Sequence, residues 1–186
     1  MKIMMLIDLF SVGGAESHLL SLSSELAKRG HNVVVVSAGG KMVKNLREVG
    51  VKHHRIPNIS SNLFNDVVNS EHFVKSSSRD AEGYKPCLLT RFLVAREVIF
   101  SLAKRYRPDV IHAHTRRTAF LARGVCRRLK IPLIVTAHAH FPMNFPKNHV
   151  SYWGDMTIAV SEDIKEHLVA SGGVIEKRIR VIVNGV

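Results

Sequence analysis

Residues 108–140 read PDVIHAHTRRTAFLARGVCRRLKIPLIVTAHAH, and the order of residue types in this stretch decides the fold. Val110 to His114 and Leu133 to His138 are both strand candidates, and the second is a largely apolar run without polar alternation, the pattern of a central parallel strand buried on both faces. Between them, at a helical turn of about 100° per residue, Leu121, Ala122, Val125 and Leu129 share one side of a helix over 116–129. Arg116, Arg123, Arg127 and Lys130 form the opposite stripe, with Arg117 and Arg128 beside it. Pro108 and Pro132 stand just ahead of the two strands, where a missing amide proton costs little. Strand, amphipathic helix, strand in this order predicts a βαβ unit with parallel strands.

The same rhythm continues in both directions. Further strands are predicted at Ile3–Ile7, Val33–Ser37, His53–Ile56, Met156–Val160 and Arg180–Val183, and further helices over 14–29, 41–49, 88–106 and 161–171. The first helix carries Leu19, Leu22 and Leu26 on one face and stops at Gly30, a natural terminator. The fold class this implies is α/β: a Rossmann-like, doubly wound parallel sheet forming one domain over 1–186. One stretch breaks the pattern. Residues 57–87 are rich in Ser and Asn, include Ser76-Ser77-Ser78 and show no sustained period, which predicts a long, flexible insertion after the third strand.

A chain of 186 residues buries enough apolar surface to hold a core without disulfides or a structural metal. Hydrophobic residues make up 46% and charged residues 23%, which excludes a disordered tail, a collagen-like repeat and a disulfide-stapled scaffold. Cys87 and Cys126 belong to no CxxC pair, so both are expected to be thiols in a reducing compartment. Met1 to Phe10 begins like a signal peptide, but Asp8 interrupts the apolar run and no small-residue cleavage site follows, so the segment reads as a buried strand. No apolar run approaches the roughly 20 residues that span a bilayer, so membrane contact is expected to be peripheral. The outlying bulk property is charge: 27 Lys and Arg against 15 Asp and Glu give +12, with 11 histidines besides. An anionic partner follows as one reading, whether nucleic acid, acidic membrane or phosphorylated or carboxylated substrate, and a basic surface serving solubility alone as another.

In open α/β sheets ligands bind outside the carboxyl ends of the strands, and this rule selects candidate residues without any motif. After the first strand come Gly13, Gly14 and Glu16, where paired glycines let a ligand approach the backbone and the next helix offers its amides to an anion. After the fourth come His112 and His114; after the fifth, Thr136, His138 and His140; after the sixth, Ser161; after the seventh, Asn184 and Gly185. The glycine pair does not match GxGxxG, which disfavours a nicotinamide enzyme and leaves a plain tight turn as the alternative. Histidines spaced i, i+2 on a strand share a face, so His112 with His114, or His138 with His140, could meet a metal, but no third ligand is evident and no metal site is expected. His138 closes a strongly apolar strand, which puts its imidazole at the ligand edge with a pKa suited to polar or proton-transfer work near neutrality. The arginine stripe can hold phosphates or can be a solvated face. It lacks interleaved aromatic residues, which counts against single-stranded nucleic acid.

Taken in order, Gly13-Gly14-Ala15-Glu16, Pro108 to His114, Ile131 to His138, Ile158-Ala159-Val160-Ser161 and Arg180 to Val186 resemble the amino-terminal half of the group 1 glycosyltransferases, also called family 4, of GT-B fold. The resemblance spans nearly the whole chain and is poorest at 57–87. It implies a two-domain enzyme in which this half binds the acceptor and a carboxyl-terminal half, absent from the chain, holds the nucleotide sugar. It implies a retaining reaction without a divalent metal or other cofactor. Gly13 and Gly14 match the loop that approaches the donor diphosphate, His138 the catalytic histidine that reaches the donor sugar, and Asn184-Gly185-Val186 the connection to the second domain. Glu16, His112, His114, His140, Ser161, Arg116 and Arg117 remain candidates for the cleft or the acceptor. The expected partners are a nucleotide-sugar donor, a glycan or lipid acceptor and an acidic membrane surface on the cytoplasmic side, with no nucleic acid, and the isolated fragment is expected to be inactive. A nucleotide-sugar epimerase of the same architecture and a basic nucleic-acid-binding module are the alternatives.

Overall fold

A computed structural model describes residues 1–59, 88–140 and 152–184. Seven strands form one sheet: β1 (Lys2–Leu6), β2 (Asn32–Ser37), β3 (Lys52–Arg55), β4 (Val110–Ala113), β5 (Leu133–Ala137), β6 (Met156–Ala159) and β7 (Ile179–Val181). Their order is β3-β2-β1-β4-β5-β6-β7, and every pairing is parallel. The helices are α1 (Gly14–Lys28), α2 (Val43–Glu48), α3 (Leu88–Tyr106), α4 (Arg116–Leu129) and α5 (Glu162–Ala170). This is the predicted doubly wound, Rossmann-like α/β fold, and its strand order reverses between β1 and β4, where such sheets open a crevice.

Two apolar layers follow from the alternation of side chains across the sheet. Ile3, Met5 and Ile7 of the first strand segment join Val33, Val35, Leu19 and Leu46 beneath α1 and α2. Met4, Leu6, Ile111, Leu133 and Val135 face the other way, against Ala95 and Ile99 of α3, Leu121 and Val125 of α4, and Ile164 and Leu168 of α5. Met5 pairs in register with His112, so the polar side of β4 belongs to the α1 layer. That placement brings the histidines under the start of α1.

The strands are shorter than the sequence suggests at their carboxyl ends. β4 stops at Ala113 and β5 at Ala137, which leaves His114 and His138 as the first residues past each strand. β7 occupies Ile179–Val181 rather than Arg180–Val183, and α2 is six residues long. Ile59 is buried in the core beside Ile56, so the first residues of the 57–87 stretch are anchored; 60–87 lie outside the described residues, Cys87 among them. Cys126 is a buried free thiol, and burial, helped by Asp155, pushes it up to about 12. The basic stripe of α4 is also partly committed, because Arg123 lies over the Tyr152 ring and Arg128 over Phe100, each 4.8 Å from the centroid. The rings these two arginines cover come from other elements, while α4 itself carries one aromatic residue, Phe120.

Candidate active site

The carboxyl rim is assembled from three connections. β1 leads through Asp8 and the glycine pair into α1, whose N-cap Gly13 has an extended backbone and no side-chain cap. The β2–α2 turn braces this loop: Phe10 N–H donates to the Gly39 carbonyl at 2.7 Å, and Met42 N–H to the Phe10 carbonyl at 3.1 Å. Gly40 sits there at φ +142 against the Phe10 carbonyl, with no room for a Cβ. Gly14 is open: a Cβ there would meet nothing within 4 Å. At Gly13 the Glu16 carboxylate leans over the Cα position and would touch an added Cβ, which places an acidic side chain at the positive end of α1.

One turn beyond Gly14, His18 brings this loop to the histidines of β4 and β5. Its ring centroid lies 5.2 Å from that of His138, edge-on, and 5.9 Å from that of His114. His114 stacks on His138 at 5.5 Å and sits 4.2 Å from His112. Two hydrogen bonds run diagonally between the strand ends: His112 Nε2 with Thr136 Oγ1 at 2.7 Å and His114 Nδ1 with His138 Nε2 at 3.2 Å. In the second, one imidazole nitrogen must carry the hydrogen and the other a lone pair. His114 Nε2 and His138 Nδ1 are buried without a hydrogen-bond partner among the described residues.

The four rings are neutral at physiological pH. Burial, with smaller pushes from His18 and His138, takes His112 down to about 3. Burial and then His18 take His138 to about 4. His114 is held well below its ordinary value by burial and by the three other rings, and His18 is lowered by burial. The expectation of a residue titrating near neutrality at 138 is corrected: in this pocket a charged imidazole would lose its hydration and face other imidazoles, so His138 acts as a neutral hydrogen-bonding group.

The β4–α4 connection adds Thr115, Arg116 and Arg117. Thr115 caps α4, with its Oγ1 accepting from Thr118 N–H, and donates to Asp8 Oδ1 at 2.8 Å. Arg117 Nη1 lies 3.3 Å from Asp8 Oδ2. Burial raises the Asp8 carboxyl despite these two partners. Arg116 is half-buried, and burial followed by the Arg117 charge lowers its pKa. Two other candidates do not join the group. Ser161 spends its Oγ capping α5, accepting from Ile164 N–H at 3.2 Å. His140 turns away to Asp163, Nε2 to Oδ2 at 2.7 Å, and stacks on His167 at 4.8 Å, so the expected pairing of His138 with His140 on one face is not formed. Among the described residues no three His, Cys, Asp or Glu side chains are grouped to hold a metal ion, and none of their helices is long and apolar enough to cross a membrane.

With this geometry established, the sequence is matched over residues 12–186 by the model of Glycosyltransferase Family 4. The chain belongs to glycosyltransferase family 4. A relative of this family 4 chain is the sulfoquinovosyl transferase SQD2 of Arabidopsis thaliana, 27% identical over 103 residues, covering 47% of the chain and 20% of the plant protein. Among solved structures, Anabaena HepE in complex with UDP-glucose aligns with all of the chain and 44% of its own length at TM-score 0.70 and 18% identity. The UDP-GlcNAc 2-epimerase of Neisseria meningitidis aligns with 97% of the chain and 45% of its own length at TM-score 0.63 and 15% identity. The family 4 chain thus spans less than half of either structure and about a fifth of the plant relative.

Sequence reasoning missed His18 and Asp8. His18 was hidden in a helix read for its leucines; its signal is its place one turn after a glycine N-terminus, on the turn that must face the sheet rim. Asp8 served only as an argument against a signal peptide, although a lone carboxylate at the end of an otherwise apolar strand sits by construction at the ligand edge.

Proposed function

We propose that the chain is the acceptor-binding, amino-terminal domain of a retaining glycosyltransferase that moves a sugar from a nucleotide-sugar donor to an anionic or membrane-associated glycan or lipid acceptor. The contact of His18 with His138 carries this reading, because it joins the glycine start of α1 to the end of β5 in one crevice. A donor diphosphate fits across Gly13 and Gly14, where no side chain caps the helix and the open face of Gly14 admits a ligand; Glu16 then swings aside. His138, held neutral, would hydrogen-bond a hydroxyl of the donor sugar and stabilise an oxocarbenium-like transition state through its dipole rather than through a charge. His112 and His114 support that ring from below. Arg116 and Arg117 lie on the acceptor side, where they would meet an anionic group.

In this reading a second domain, joined through Asn184-Gly185-Val186, supplies the remaining donor contacts, no divalent metal takes part, and the enzyme works at the cytoplasmic face of a membrane. The test is product analysis with the full-length protein, nucleotide sugars and candidate acceptors, in the presence of a chelator. Transfer with retained anomeric configuration is the expected result. Interconversion of nucleotide-sugar epimers without transfer would move the assignment to an epimerase. Salt-steep binding to DNA or RNA with no response to nucleotide sugar would overturn the enzyme reading altogether.

A further inference from the structure

We propose that the outer face of α3 and α4 is a docking surface for a bilayer rich in anionic phospholipid, seated so that the active-site rim opens at its edge. This deepens the preceding reading and rests on it only for placing the acceptor in the membrane.

Between the two helices runs a groove of about 250 Å³ whose lining includes Phe92, Leu93, Phe120, Arg96, Arg123 and Arg127. Phe92 and Phe120, both in its lining, meet at 5.6 Å between ring centroids. Leu89 is 68% exposed, Leu93 49% and Phe120 39%. Leu93 and Phe120 share the groove's lining and Leu89 stands one turn before Leu93 on α3, so these exposed apolar side chains form a group on one two-helix face and are not scattered singly.

Topology fixes where they lie. α3 leads into β4, and α4 joins β4 to β5; all strands are parallel, so each helix starts at the carboxyl edge of the sheet and descends. Leu89 and Leu93 stand in the first two turns of α3 and Phe120 in the second turn of α4, at the end where the site opens. Arg96, Arg123 and Arg127 follow further down. Apolar tips at one level and arginines behind them match the acyl boundary and phosphate layer of a lipid interface, where long basic side chains keep their charge among the headgroups. Among the described residues no carboxylate lines the groove; Glu97 is exposed on α3 beside it. With a net charge of +12, the complementary partner is an anionic surface.

The experiment is sedimentation of the full-length protein with phosphatidylcholine vesicles and with vesicles of phosphatidylcholine mixed with phosphatidylglycerol, at low and high salt. Binding to the mixed vesicles, weakened by salt, is expected. Arg96→Gln with Arg127→Gln should weaken it roughly 30-fold, since each basic residue near an anionic leaflet contributes about a factor of five. Leu93→Ser with Phe120→Ser should weaken binding without changing its salt dependence, and Lys28→Gln with Lys44→Gln, on the opposite layer, should leave it unchanged. Equal binding to both vesicle types, or equal loss in the opposite-layer variant, overturns the proposal. Sugar transfer to a soluble acceptor by a protein that ignores vesicles would sink this inference alone and leave the enzyme reading standing.

Discussion

His112 and His114 are spaced two residues apart at the end of one strand, and His138 and His140 are spaced two apart at the end of the next, yet the structure treats the pairs differently. The first pair stays together, buried, with ring centroids 4.2 Å apart. The second splits: His138 joins the buried group while His140 is about half exposed against Asp163 on α5. Alternation along a strand holds only while the strand lasts. β4 ends one residue before His114, which is still fixed because its N–H donates to the Leu6 carbonyl at 2.8 Å. β5 ends at Ala137, and three residues further nothing obliges His140 to keep the strand's facing. The inner group is therefore preorganised by the sheet and the outer pair by contacts at the surface.

The sharpest way to break this comparison is to remove one ring from each group. In the full-length enzyme His138→Ala should lower kcat about 10²- to 10³-fold, the usual cost of losing one fixed dipole at a site of developing charge. Its thermal midpoint should stay close to that of the parent, because the ring is only half-buried at the rim. Steady-state kinetics beside thermal unfolding reads both quantities. A variant with parental kcat removes the role assigned to His138; one that fails to fold would show that the inner group is a core element instead.

How much of this was legible in the sequence follows the same division. The sheet could be read because its strands are unbroken apolar runs separated by amphipathic helices with leucines at helical spacing, and parallel strands buried on both faces leave that trace. The rim could be read from the topology rule together with the resemblance. What could not be read is which rim side chains turn inward. Ser161 was a polar residue past a strand, but a helix start needs a cap and takes its hydroxyl. Arg123 and Arg128 could be read as phosphate ligands or as solvated charges, whereas each covers an aromatic ring supplied by another element. His18 was invisible because its partners lie about 100 residues later. Contacts of this range depend on the register between β1 and β4, which no local pattern encodes.

Acid sharpens the contrast further. With His112 at about 3 and His138 at about 4 in the folded state, the unfolded chain binds protons on these rings that the native state refuses. Their contribution to stability is complete above the unfolded value near 6.5 and is lost as pH falls from there towards 3. Each pH unit in that window costs up to about 1.4 kcal/mol for each such ring. The raised Asp8 carboxyl works in the opposite direction, since the folded state takes up that proton more readily. Urea unfolding between pH 7 and pH 4 should therefore show a falling free energy in the parent. Replacing His112 by Gln, which keeps a partner for Thr136, should flatten the slope. A parent curve that is level across this range would mean that the inner rings charge freely in the native state and are not buried together.

The outer pair should give the smallest effect. Asp163 is 76% exposed and His140 51%, so water competes for both members and salt screens what remains. Exposed pairs of this kind typically contribute between zero and about 1 kcal/mol, and Asp163→Asn, which keeps a side-chain oxygen able to accept from His140, should change the unfolding free energy by less than that. The stacking of His140 on His167 gives a second handle: if the pair merely rests on the surface, His140→Ala should lose no more than Asp163→Asn does. A loss of several kcal/mol in either variant, measured by urea unfolding at neutral pH, would mean that the segment after β5 is fastened to α5 as firmly as the inner histidines are fastened to the sheet. The distinction between strand-held and surface-held rings would then disappear, and with it the reason for assigning sugar contact to His138 but not to His140.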